Sequence, residues 1–265
     1  MYSEEILVPV VTPFKPNFEV CDPSVAKLIE RIRPHARGFL PCLSSGEGWC
    51  LSEQQWQDMV SISVKHANGL EVVVGVEKPT TEQVLEYALL AQSAGADGVM
   101  LTTPFGESVS QEQMIAHFEH IHNNTSLPIW IYHETSLSNN NMSLQSMLTV
   151  ADLPRVVGIK DSGPDLSVNN HIDSFIAKGV AVFNGWEERM VATTQPCGNV
   201  VALSNLMPHI CRQAAKSGNA EPRQSEINAL CEKYSLFEEN WYKYVKEFLF
   251  TQGIISTALV IADKP

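Results

Sequence analysis

Short β-branched runs alternate with longer amphipathic stretches along this chain, and the alternation repeats eight times. The runs are ILVPVV (6–11), GFLPCL (38–43), EVVVGV (71–76), DGVMLT (97–102), LPIWIY (127–132), RVVGIK (155–160), VAVFN (180–184) and NVVALS (199–204). Each has the length of a strand, and near-continuous apolar runs suit strands buried on both faces. Helical patterns lie between them. DPSVAKLIERI (22–32) opens with Asp22 as N-cap and a proline in the first turn, and SEQQWQDMVSISVKHA (52–67) opens on Ser52. Further helices are expected at 80–95, 110–124, 143–151, 164–178, 187–195 and 208–217. Strands joined by helices need right-handed crossovers and form a parallel sheet.

Eight such units in about 215 residues fit a closed α/β barrel, the (β/α)₈ TIM barrel, better than an open sheet. No G-x-G-x-x-G follows the first run, which weakens the dinucleotide-binding alternative. Pro41 weakens the second run as a strand. Two more helical stretches, about 220–236 and 239–251, have no strand after them. They are expected to pack outside, giving a barrel over 1–218 and a helical extension over 219–265 within one domain.

A net charge of −12 argues against a nucleic-acid partner, which needs clustered lysine and arginine. The six cysteines, at 21, 42, 50, 197, 211 and 231, include no C-x-x-C pair, so neither a zinc knuckle nor a redox motif is indicated. The opening MYSEEILVPVV lacks the basic region of a signal peptide, and no run approaches the ~18–20 apolar residues of a membrane span. A cytoplasmic protein with no membrane partner is expected.

In a barrel of this kind the reactive groups sit at the C-terminal ends of the strands. That rule selects Thr12, the loop Ser44-Ser45-Gly46-Glu47-Gly48, Glu77, the stretch 102–107, Tyr132-His133-Glu134, Lys160, the stretch Asn184-Gly185-Trp186-Glu187-Glu188, and Ser204-Asn205. Lys160 ends an apolar strand, so its amine is expected to be partly desolvated, with its pKa lowered from ~10.4. A neutral amine attacks a ketone, and the iminium that forms is an electron sink for making or breaking a C–C bond. A surface lysine paired with Asp161, or a phosphate-binding lysine, would show the same pattern. Tyr132 could pass protons at the iminium or at a substrate hydroxyl, or could be a core tyrosine at the rim. The hydroxyls and backbone N–H groups of the Ser44–Gly46 loop suit a small carboxylate. His133 and Glu134 could face the substrate. His117, His120 and His122 share one helix, far from the strand ends, and are expected at the surface; no metal site is expected.

The ordered set of motifs resembles the dihydrodipicolinate synthase/N-acetylneuraminate lyase family of class I aldolases over nearly the whole chain. LVPVVTPFKPNFEVCDPSVAKLIE is similar to the family's opening, and Leu43-Ser44-Ser45-Gly46-Glu47 to its G-[ST]-T-G-E loop. PIWIYHE resembles its tyrosine strand, Gly158-Ile159-Lys160-Asp161 its lysine strand, and NGWEERMVATTQPCGNVVALSNLMP its last two strand regions. The resemblance implies a Schiff base between Lys160 and pyruvate or another 2-oxo acid, and a proton relay through Tyr132. It implies that Ser44 and Ser45 hold the carboxylate, with Ser44 also in the relay, and that the backbone near Val200 faces the ketoacid. It further implies no cofactor, an aldehyde as second substrate, and a homo-oligomer, dimer or tetramer.

Departures narrow this. The loop's first glycine is Leu43, a second relay tyrosine falls on Gly106, and an arginine that follows the strand-five tyrosine falls on Leu137. The expectation is therefore a Schiff-base lyase or aldolase that is not dihydrodipicolinate synthase itself. Its alternatives are a dehydratase of a 2-oxo sugar acid using the same iminium, and an inactive metabolite-binding barrel.

Overall fold

The computed structural model describes residues 5–191, 197–215 and 223–264. Eight parallel strands close into a barrel: β1 (Glu5–Val8), β2 (Gly38–Phe39), β3 (Glu71–Val76), β4 (Gly98–Leu101), β5 (Ile129–His133), β6 (Val156–Asp161), β7 (Ala181–Asn184) and β8 (Gly198–Asn199). Around them run α1 (Asp22–Ile32), α2 (Glu53–His66), α3 (Thr81–Ser93), α4 (Gln111–Asn124), α5 (Leu144–Val150), α6 (Ile172–Ile176) and α7 (Pro208–Ala215). Two further helices, α8 (Gln224–Lys233) and α9 (Trp241–Thr251), follow the last strand.

The helix starts follow local chemistry. Ser52 and Ser110 each accept from the backbone N–H three residues on, and Gln55 and Gln113 accept in return, so α2 and α4 open with full capping boxes. In α1 the cap is Cys21 rather than Asp22; Asp22 and Pro23 are its first helical residues, and Asp22 is paired with Lys65 and His66.

Several strands are shorter than the sequence suggests. The β1 ladder stops at Val8, because Pro9 has no N–H to donate. Pro41 likewise limits β2 to two residues. The eighth strand is Gly198–Asn199, and 202–205 is a 3₁₀ turn. There the Asn205 side chain replaces ladder bonds, accepting from Val11 N at 3.2 Å and donating to Pro9 O at 2.9 Å. The helix expected over 164–178 is reduced to α6 preceded by a 3₁₀ turn, since Pro164 and an Asp165–Ser167 side-chain turn occupy its start. Of the helix expected over 187–195, Glu187–Arg189 is a 3₁₀ turn, and 192–196 lie outside the described residues.

The core has two layers. Leu7, Leu40, Val73, Met100, Trp130 and Phe183 fill the barrel, and a larger apolar layer lies between strands and helices. At the N-terminal end Arg37 closes the bottom, bonded to Glu5 at 2.6 Å and Glu71 at 2.7 Å, with its guanidinium 5.9 Å from the Trp130 and Phe183 rings. Ile227 and Cys231 of α8 and Val245 and Leu249 of α9 belong to the same outer layer as Val25 and Leu28 of α1. The expected boundary at 218/219 lies outside the described residues.

Candidate active site

Alternation along β6 sends Gly158 and Lys160 into the barrel. Gly158 is required there: a Cβ would stand 2.2 Å from the Trp130 ring. Lys160, in register with Tyr132 on β5 and Phe183 on β7, is 6 % exposed. Its Nζ lies 4.0 Å from the Tyr132 ring centroid and has no ion-pair partner among the described residues. Burial brings its pKa down to about 8, against the opposing pull of Glu77, Glu187 and Glu134. Asp161 points the other way. It accepts from His133 Nδ1 at 2.8 Å and from the Gly163 backbone N–H at 3.1 Å, so it is not the counter-ion of Lys160.

The loop after β2 supplies the hydroxyls. The Ser44 hydroxyl donates to Glu77 Oε1 at 2.5 Å and lies 3.5 Å from the Tyr132 phenol. Burial and the Glu77 charge keep that phenol protonated well above the ordinary tyrosine range. Ser45 lines the cavity beside Ser44. Glu47, in the left-handed region at φ 60°, turns its carboxylate outward to the buried Lys246 of α9 and accepts from Ile261 N at 2.6 Å. Lys246 also donates to Leu259 O at 2.9 Å, so α9 and the segment after it fix the loop.

Two carboxylates are committed to backbone. Glu134 accepts from Leu137 N at 2.8 Å and Ser138 N at 3.0 Å. Glu187 accepts from Ala202 N at 2.7 Å and Leu203 N at 3.3 Å; burial raises its pKa despite those bonds. Gly185 lets β7 pass close to the amine, since a Cβ there would be 2.0 Å from Ser162 Oγ and 3.0 Å from Lys160 Cε.

These groups enclose a cavity of about 370 Å³ at the C-terminal end of the barrel. Ser44, Ser45, Tyr132, Glu134, Lys160, Gly185, Glu187 and Val200 all line it. Thr12, Gly46 and His133 stand behind its wall. Thr12 donates to the Gly46 carbonyl at 2.7 Å. His133 is held between Asp161 and Asn141, the latter at 2.9 Å; burial opposes its proton, but these two bonds outweigh it and raise its pKa. A shallower hollow beside α3, lined by Leu85, Leu89 and Leu90, lies away from the strand ends.

Two parts of this site carry no role in the sequence reading, although the strand-end rule selects Glu77. Glu77 ends an apolar strand as Lys160 does, which was the available signal; it is buried, and burial lifts its pKa to about 7. Leu236, Phe237, Glu238 and Trp241 complete the mouth from beyond α8, with no local motif to announce them. One expectation is corrected. His117 is buried, bonded to Thr81 Oγ1 at 2.9 Å and Thr102 O at 3.0 Å, and His122 is buried as well. Among the described residues no group of His, Cys, Asp or Glu is placed to hold a metal ion, and no helix is long and apolar enough to cross a membrane.

A buried lysine with no ion-pair partner among the described residues, beside a phenol and a serine loop in a barrel mouth, is an arrangement suited to imine chemistry. The sequence matches the model of the dihydrodipicolinate synthetase family over residues 2–261. The chain belongs to that family of Schiff-base pyruvate aldolases and is a class I aldolase/lyase. It is 28% identical to a 4-hydroxy-tetrahydrodipicolinate synthase of Pelagibacter ubique, over 84% of this chain and 77% of the relative. It is 30% identical to the enzyme of the same name from Ehrlichia canis, over 77% and 71%. The fold is shared with dihydrodipicolinate synthase from Bacteroides thetaiotaomicron at a TM-score of 0.88 and 23% identity, covering 98% of this chain and 92% of the other. It is also shared with YagE, a prophage protein of Escherichia coli K12 solved in complex with pyruvate, at 0.87 and 21%, covering 99% and 92%.

Proposed function

We propose that Lys160 forms a Schiff base with pyruvate or a closely related 2-oxo acid, and that the resulting enamine carries a reversible aldol condensation or cleavage. The observation that carries this is the Lys160 amine, buried at a strand end and with no ion-pair partner among the described residues. The pyruvate bound to the related YagE chain supports the choice of ketoacid. Ser44 and Ser45 receive the ketoacid carboxylate, the backbone around Val200 faces its carbon skeleton, and Tyr132 moves protons at C2 and at the acceptor oxygen.

The acceptor is neutral, hydroxylated or cationic, and it is not aspartate semialdehyde, despite the names of the relatives. Among the described residues Lys160 is the only basic side chain lining the cavity, while Glu134, Glu187, Glu188 and Glu238 all line it. Leu137, where the family carries an arginine, has no charge to offer a second carboxylate and is not among the residues that line the cavity. A forked, charge-assisted bond from arginine contributes several times what an apolar contact offers an anion.

Borohydride reduction in the presence of pyruvate tests the reading. The expected result is a stable adduct on the intact chain, mapped to Lys160 by peptide mass analysis. Folded protein that traps no small 2-oxo acid would remove the Schiff-base assignment of Lys160.

A further inference from the structure

Glu77 is a buried carboxylate at the tip of β3 that does not itself line the cavity. Oε1 accepts the Ser44 hydroxyl at 2.5 Å, and Ser44 Oγ lies 3.5 Å from the Tyr132 phenol. Oε2 is sealed from solvent and has no hydrogen-bond partner among the described residues. A buried carboxylate with a bare oxygen is costly as an anion and is relieved by taking up a proton. Gly106, at the tip of the neighbouring β4 loop, brings no side chain that could take this place. Ser44 thus has one acidic partner on the side away from the phenol, and that partner is Glu77.

We propose that Glu77 is the proton store of this site, exchanging protons with the reacting ketoacid through Ser44 and Tyr132. The proposal rests on the reading of Lys160 as the Schiff-base amine. Because Glu77 acts through Ser44, it is a positioning and relay residue and does not touch substrate.

The proton count closes at each step. When the carbinolamine loses its hydroxyl, the C2–O bond breaks and the Tyr132 proton leaves with that oxygen as water. With the acid protonated on Oε1, Glu77 donates to Ser44 and the Ser44 hydroxyl turns to the phenol; Ser44 then passes its proton to the phenol oxygen, and Glu77 gives its Oε1 proton to Ser44. A neutral acid and a neutral adduct become a carboxylate and an iminium, so the new cation is born with a counter-charge nearby. In enamine formation the C3–H bond breaks, its electrons neutralise the iminium, and the same three groups carry the proton back to Glu77.

The groups facing Glu77 fit this role. Lys160 on β6 favours its anion, Glu134 beyond β5 opposes it, and Tyr132 and Ser44 form the chain. Cys42 lies behind it and Lys78 beside it on its own segment, while Glu187 faces the Lys160 side of the pair. The reactive form has the amine free and the acid protonated. Activity should therefore rise with pH as the Lys160–Glu77 pair loses its first proton, near 7, and fall as it loses the second, near 8.

Exchange of the pyruvate methyl protons in D₂O, followed by NMR, reads enamine formation without any acceptor. Glu77→Gln keeps the shape and a bond to Ser44 but stores no proton. Borohydride should still trap pyruvate on Lys160 in this variant, but more slowly, because loss of the carbinolamine hydroxyl draws on the same relay. Exchange should fall roughly 10²–10⁴-fold, the range for loss of a general acid–base group. The alkaline limb should disappear, and the remaining rise should follow the Lys160 amine alone, at higher pH than the wild-type acid limb but below about 8, because the amine loses the carboxylate that favoured its ammonium. Glu77→Asp should exchange at an intermediate rate and keep the alkaline limb. Exchange within about threefold of wild type in Glu77→Gln, with an unchanged profile, would overturn the relay. If Glu77→Gln does not fold, a folded Glu77→Asp decides: a retained alkaline limb supports the relay, and a flat profile overturns it. A wild-type protein that neither traps nor exchanges pyruvate would overturn the Schiff-base reading, and the relay with it.

Discussion

Tyr132 and Lys160 are direct register partners on β5 and β6, and the lysine Nζ rests 4.0 Å from the centre of the tyrosine ring. The ring face holds the amine in place, while the phenol oxygen points on to Ser44. Tyr132→Phe separates these two roles. The ring contact remains, so thermal stability should match wild type, and slow trapping of pyruvate should survive. Methyl exchange and aldol turnover should fall roughly 10²–10⁴-fold. A variant that turns over at the wild-type rate would place the phenol outside the chemistry.

Lys160→Arg should abolish both the adduct and turnover. A guanidinium stays protonated in proteins and cannot act as the nucleophile. Mass analysis after reduction is the check; an adduct persisting in this variant would move the imine to another lysine.

Aspartate semialdehyde should be a poor acceptor beside neutral hydroxyaldehydes assayed with the same pyruvate. The missing charge-assisted bond at Leu137 should cost about 1.5–3 kcal/mol, roughly ten- to a hundredfold in kcat/KM. Leu137→Arg should recover part of that factor for the anionic acceptor and none for a neutral one. Aspartate semialdehyde emerging as the best acceptor of the native protein would defeat the argument.

Lys246 and Glu47 form an ion pair with side-chain exposures of 0 % and 1 %. Lys246→Met leaves the Glu47 carboxylate buried without its cation, which should lower unfolding stability by about 3–5 kcal/mol. Adding Glu47→Gln should recover part of the loss, because the stranded charge is gone. We propose on the same ground that 219–265 is inseparable from the barrel. A chain cut at 218 should fail to show a cooperative melt, and a sharp transition would show the barrel to be self-sufficient.

His117 should make the protein less stable in mild acid. Burial lowers its folded pKa to about 4 from an ordinary 6.5, so the unfolded chain takes up this proton first as pH falls. Stability is therefore lost from pH 6.5 downward, by about 2 kcal/mol between pH 7.5 and pH 5 from this residue. Denaturant titrations at the two pH values should show a smaller difference in His117→Asn than in wild type.

The elements legible in the sequence were those fixed by neighbours in the chain. Ser52 and Ser110 announce their helices because each cap acts three residues away. The strands β3 to β6 show as apolar runs because both of their faces are covered. The ends of β1, β2 and β8 were overextended, because prolines and the long-range bonds of Asn205 end the ladders there, not a change in hydropathy. Lys160 and Tyr132 could be read from strand-end position. Glu77 occupied an equivalent position, but a carboxylate at a strand tip reads as a solvent contact until its burial is seen. The Glu47–Lys246 pair spans 199 residues and leaves no mark on either local sequence.

That separation also orders events during synthesis. The serine turn of the site leaves the ribosome well before the groups that hold it, since its Glu47 is anchored by Lys246 and by Ile261, the latter 214 residues downstream. Domains assemble as their parts emerge, and contacts far apart in the chain close last. A nascent chain can gather strands and helices early while its ketoacid-binding turn is still unset. Competence to bind would then arrive late, in one step, when the α9 segment and the residues after it dock.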